Sequence, residues 1–89
     1  EILRACAEAI DLMAEYAAKG SRLALSDAGA GAALLKGALQ AASLNIYINA
    51  KSLQDRAAAD RLTAEADRLV AEYGAKADEI FSAVQREIR

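Results

Sequence analysis

The chain has 89 residues, with no Pro, no His, a single Cys and 4 % aromatic residues. Its formal net charge of −2 comes from interspersed signs, so no basic stripe exists to track a phosphate backbone, and nucleic-acid binding is disfavoured. One Cys excludes an internal disulfide, the lack of His removes the usual zinc spacings, and no metal is expected.

Ala, Leu, Glu, Lys and Arg dominate the composition and head the helix-propensity ranking. No Val/Ile/Thr-rich run alternates between turn signals. The expected fold class is therefore all-α: three long helices that form part of a larger antiparallel helical bundle, over about residues 1–19, 27–53 and 56–88.

The first helix places Leu3, Cys6, Ile10, Met13 and Ala17 on one stripe, widened by Ile2, Ala9 and Tyr16. Arg4, Glu8, Asp11 and Glu15 form the opposite, wet face. Cys6 occupies a small-hydrophobe position, which predicts a buried, inert thiol. Gly20 is the residue type expected just past a helix end. Arg4, Glu8 and Asp11 interrupt any apolar leader, so no signal peptide is read and a cytoplasmic setting is expected. Glu1 opens the helix without a capping residue or initiator Met, which predicts a natural polypeptide that starts earlier.

Residues 20–25 read as a short connection, and Ser26-Asp27 as the N-cap of the second helix. That helix is the unusual one. Between Ala28 and Ala50 its only charge is Lys36, yet it holds Gln40, Ser43, Asn45 and Asn49. A helix apolar around most of its circumference has to be covered on most sides, more than two flanking helices supply. Gly29, Ala33, Gly37 and Ala41 recur every four residues as a ridge that lets another backbone approach closely. The polar residues break the run below the 18 uninterrupted apolar positions of a membrane span, so no membrane association is expected. Asn45, Asn49 and Ser52 fall at i, i+4 and i+7 and share a face. Two readings follow for the asparagines: buried partners that set the register of the bundle, or amides that hold a polar ligand between helices. Asp27 is either a plain cap or a cap beside a ligand cavity at a positive helix end.

Asp55 reads as the cap of the third helix, whose stripe is Leu62, Ala66, Leu69, Tyr73, Ala77, Ile80, Val84 and Ile88. Leu62, Tyr73 and Val84 lie eleven apart, the spacing of a nearly straight helix. Arg61–Glu65 and Glu72–Lys76 are spaced for i,i+4 ion pairs, and Gly74 marks a place where the helix could bend.

Ser26-Asp27-x-Gly29-x-Gly31-Ala32-x-Leu34-Leu35, followed by Ala38-Leu39, Asn45, Ile48-Asn49 and Lys51-Ser52-Leu53-x-Asp55, resembles the cyclodeaminase/cyclohydrolase family of folate one-carbon metabolism. The resemblance covers nearly the whole chain, as the C-terminal half of an all-helical, dimeric fold about twice this length. It implies conversion of 5-formimidoyltetrahydrofolate to 5,10-methenyltetrahydrofolate with loss of ammonia, or alternatively hydrolysis of the methenyl bridge. The implied binding residues are Ser26, Asp27, Asn45, Asn49 and Lys51, the last toward the anionic glutamate tail. No cofactor is implied beyond the folate substrate, and the implied partners are an N-terminal half or companion chain and a second copy in a homodimer. The family's Pro-Gly-Gly-Gly-Ser signature and catalytic carboxylate belong to that other half and do not occur in residues 1–89, so the catalytic residues are unassigned here. A helical assembly module that has kept the bundle surface without the chemistry is the alternative of another class.

Overall fold

The computed structural model describes residues 2–19 and 22–89. They form three helices: α1 (Ile2–Lys19), α2 (Arg22–Ser52) and α3 (Arg56–Ile88). Gly20, the expected stop after the first helix, lies outside the described residues.

The second helix begins earlier than its caps suggested. Arg22, Leu23, Ala24 and Leu25 are good helix formers, and Leu25 packs against the core, so the helix runs on through Ser26 and Asp27. Both become exposed interior helical residues, and the capping role read for them is lost. Asp55 does cap α3: its carboxylate accepts from the Ala58 N–H at 3.1 Å. Between the two helices, Leu53 N–H donates to the Ala50 carbonyl at 3.2 Å. The Arg56 guanidinium then donates to the carbonyls of Leu53 and Ala50, at 2.9 and 3.3 Å. A cation on the last carbonyls of α2 satisfies groups that a helix end leaves unpaired.

Cross-helix contacts fix the directions. Val84 lies where a Cβ on Gly29 would sit, Lys36 bonds Asp78, and Tyr47 bonds Asp67, so α2 and α3 run antiparallel. Arg4 meets Glu65 and Asp11 meets Tyr73, so α1 runs parallel to α3. The described residues form a rod of 50 × 16 × 16 Å, whose length matches the roughly 50 Å of a 33-residue helix. Gly74 is buried and α3 continues through it as one helix.

Leu3, Ile10 and Leu39 are the largest fully buried side chains, each contributing about 1.5–3 kcal/mol through apolar burial. Cys6 is buried among them, as its stripe predicted. The α3 stripe is buried from Ala66 to Val84, apart from a half-buried Tyr73, while Leu62 and Ile88 at its ends are exposed. The ion pairs differ from the Arg61–Glu65 and Glu72–Lys76 pairs read from the sequence, although Arg68–Glu72 keeps the i,i+4 spacing. Glu65 is taken by Arg4 of α1 at 2.7 Å, Lys76 by Asp11 of α1, and Glu72 by Arg68 at 3.1 Å. A long side chain that can bridge two helices is not confined to its own helix face.

Candidate functional site

Of the four α2 residues read as buried polar groups, only Ser43 is buried, and its hydroxyl donates to the Gln40 carbonyl at 2.6 Å. Gln40, Asn45 and Asn49 are exposed. Neither asparagine therefore sets the register among these three helices. The reason is angular: α1 and α3 cover one side of α2, and the asparagines project from another.

The exposed amides sit over shallow grooves. Asn45 lines one of about 170 Å³ with Ile2, Leu3, Ala42 and Ile46. Asn49 lines another of about 190 Å³ with Leu3, Ile46, Leu62, Glu65 and Ala66. Leu3 and Ile46 belong to both, so the two amides flank one apolar wall. Glu65, the carboxylate at this end, is held by Arg4. Neither groove reaches the roughly 300–1,000 Å³ of a typical small-molecule site.

Ser26 lies elsewhere. It lines an apolar groove of about 390 Å³ between α2 and the end of α3, with Phe81, Gln85, Ile88 and Arg89. Sequence reasoning passed over Phe81, Gln85 and Arg89 and read Ile88 only as the end of the α3 stripe; the available signal was Phe81 standing off that stripe. Asp27 is 18 residues from Asn45 and 24 from Lys51 on one continuous helix, which separates them by about 27 and 36 Å. The five predicted binding residues thus form two groups at opposite ends of α2. The structure does not bring them together within one chain.

The shifted titrating groups serve the helix contacts instead. The Lys76 hydrogen bond holds the Asp11 carboxyl below its ordinary value, with help from the Tyr73 hydroxyl that donates to it at 3.1 Å. The same contacts raise Tyr73 and Lys76 above theirs. Tyr47 is raised by donating to Asp67 at 2.6 Å. Both tyrosines tie α3 to a neighbouring helix, and no periodicity announces such pairs. What the Asn45–Asn49 end can do is donate and accept hydrogen bonds beside an apolar wall.

Residues 1–68 match the formiminotransferase-cyclodeaminase family, from α1 through α2 and into α3. The chain belongs to that family. It is 40 % identical over 85 residues to the methenyltetrahydrofolate cyclohydrolase of Methylorubrum extorquens, a match covering 96 % of the chain. The matched region is 41 % of that relative, so the chain spans well under half its length. No solved structure matches the chain. Ser26, Asp27, Asn45, Asn49 and Lys51 all fall within the family match, whereas Phe81, Gln85 and Arg89 lie beyond it. Among the described residues no helix is long and apolar enough to cross a membrane.

Proposed function

We propose that residues 1–89 form the C-terminal half of a cytoplasmic folate one-carbon enzyme whose reaction is the reversible hydrolysis of 5,10-methenyltetrahydrofolate to 10-formyltetrahydrofolate. The observation that carries this reading is the 40 % identity, over 96 % of the chain, to a relative named for that reaction. Water adds to the bridge carbon and gives up one proton; the second proton of that water passes to N5 as the bond from the carbon to N5 breaks, and the formyl group stays on N10. A positioned acid/base is worth about 10²–10⁴-fold in such a step. Glu65 is committed to Arg4, and we assign the proton transfer to a carboxylate outside residues 1–89.

The part of this chain is to bind and orient. Asn45 and Asn49, exposed beside the Leu3–Ile46 wall, suit a flat heterocycle with hydrogen-bonding edges. Lys51, exposed two residues beyond Asn49, suits the anionic glutamate tail. Ser26 and Asp27 form the second binding group. The family name supports a second reading, cyclodeamination of 5-formimidoyltetrahydrofolate, in which N10 attacks the formimidoyl carbon and ammonia leaves. A non-catalytic assembly module is the reading from another class.

Two assays of the full-length protein separate these readings. Loss of methenyl absorbance from 5,10-methenyltetrahydrofolate above the uncatalysed rate is the expected result. Appearance of that absorbance from 5-formimidoyltetrahydrofolate would move the assignment to the deaminase. Silence in both, with the helices folded by circular dichroism, would leave the assembly module.

A further inference from the structure

Glu65 has a use beyond its ion pair. It stands on α3 at the end of the rod where all three helices meet, and it shares a groove with Leu3 of α1 and with Ile46 and Asn49 of α2. It is the one charged residue lining that groove. The Arg4 guanidinium donates to Glu65 Oε1 at 2.7 Å. Glu65 Oε2 has no hydrogen-bond partner among the described residues, and neither has the side-chain amide of Asn49. With its side chain 36 % exposed, the carboxylate is held in place, reachable from outside and only half used.

A carboxylate accepts at two oxygens, with about four lone-pair sites. It therefore matches a planar group that presents two parallel N–H donors, as it matches the fork of an arginine. An asparagine amide beside it adds N–H donors of its own. Together the two side chains can read a flat edge of the order donor, donor, acceptor. The 2-amino-4-oxopyrimidine ring of a folate has that edge: a 2-amino hydrogen, the N3 hydrogen and the 4-oxo oxygen in a row. The apolar lining of Leu3, Ile46, Leu62 and Ala66 suits the faces of the same ring. A groove of about 190 Å³ need hold only this end of the ligand.

We propose that Glu65 is the residue by which this chain recognises the heterocycle of folate. Its carboxylate accepts from the 2-amino and N3 hydrogens, and the Asn49 amide donates to the 4-oxo oxygen. This assignment rests on the folate reading above. Arg4 is a positioning residue: it fixes the carboxylate beforehand, so less freedom is lost on binding. The charge of Glu65 also sets the direction of entry, because it repels the anionic glutamate tail from the groove that takes the ring. No proton moves at Glu65.

Titration calorimetry on the full-length protein tests this with tetrahydrofolate and with its analogue carrying hydrogen in place of the 2-amino group. Wild-type protein should bind the analogue about tenfold to a hundredfold more weakly, the worth of a hydrogen bond to a charged acceptor. Glu65→Gln keeps the shape of the side chain but puts a donor where an acceptor is needed, and should lose a similar factor for tetrahydrofolate. Its loss for the analogue should be smaller by at least about threefold, the non-additivity that marks a direct contact. Arg4→Met should weaken tetrahydrofolate binding less than Glu65→Gln does, and should have no effect in a Glu65→Gln background. In the methenyl assay Glu65→Gln should raise KM at unchanged kcat. Its melting temperature should stay close to wild type, because an exposed ion pair contributes little. Equal wild-type affinity for the two ligands, wild-type binding by Glu65→Gln, or a collapse of kcat at unchanged KM would overturn the proposal and leave the folate reading standing. Folded wild-type protein that binds no tetrahydrofolate would remove that reading and the proposal with it.

Discussion

Gly29 and Gly37 stand two turns apart on α2 and are used in opposite ways. A Cβ on Gly29 would lie 2.9 Å from Val84 Cγ1, so α3 comes as close as a glycine allows. A Cβ on Gly37 would meet nothing within 4 Å. The same contrast extends along the helix: Leu39 is fully buried, while Leu34, five residues earlier, is 76 % exposed. One side of α2 is committed to its covalent neighbours and the other is equally apolar without being covered. Low charge on a helix therefore does not tell which of its sides a single chain buries.

The two leucines separate the sides of α2 most directly. Leu39→Ala is expected to cost about 2–5 kcal/mol, the range for large-to-small changes in a core. Leu34→Ala should change the stability of the single chain by no more than about 0.5 kcal/mol. Chemical denaturation of both variants at dilute protein measures this, and equal losses would mean that the outer side is already packed in the isolated chain.

The two glycines should differ in the same way. Gly37→Ala, measured at the same dilution, should stabilise by about 0.5–1 kcal/mol because it removes glycine's entropic cost in a helix. Gly29→Ala should show no such gain, because its Cβ displaces Val84. Adding Val84→Ala should make that displacement disappear from a double-mutant comparison, at the separate cost of the cavity it leaves.

Smaller effects are expected from the exposed amides. Asn45→Ala and Asn49→Ala should leave the melting temperature nearly unchanged and weaken folate binding measured by titration calorimetry. Lost stability with unchanged binding would restore the register role.

The smallest concern pH. The folded-state value of Asp11 lies below its ordinary 3.8, so its contribution is present above that value and is lost as pH falls through the depressed one. Tyr73 and Lys76 lie above their ordinary 10.0 and 10.5. Their contributions are complete below those values and are lost as pH rises through the raised ones. Between them stability should be flat, and Asp11→Asn should flatten the acid limb further in melts recorded against pH.

Much of this was legible in the residues. The three helices, the Asp55 cap, the buried face of α1 and the middle of the α3 stripe follow from periodicity and capping chemistry, and the family from the motif between Ser26 and Asp55. The start of α2 was misplaced because Ser-Asp is a cap signal only where the preceding residues resist helix, and Leu23-Ala24-Leu25 do not. The five residues proposed to bind do not converge within the chain, since a motif continuous in sequence is stretched by an α-helix over about 36 Å. Glu65 and Lys76 pair across helices, with Arg4 and Asp11, because flexible charged side chains choose partners in three dimensions.

The residues alone show that this chain is helical, that its middle helix is apolar on more than one side, and which family it belongs to, because helix period, propensity and a dense motif are local properties. Only the tertiary structure decided which side of α2 is covered, leaving Leu34, Asn45 and Asn49 exposed. Facing is set by where α1 and α3 come to rest, and an equally apolar helix carries no local mark of its inside.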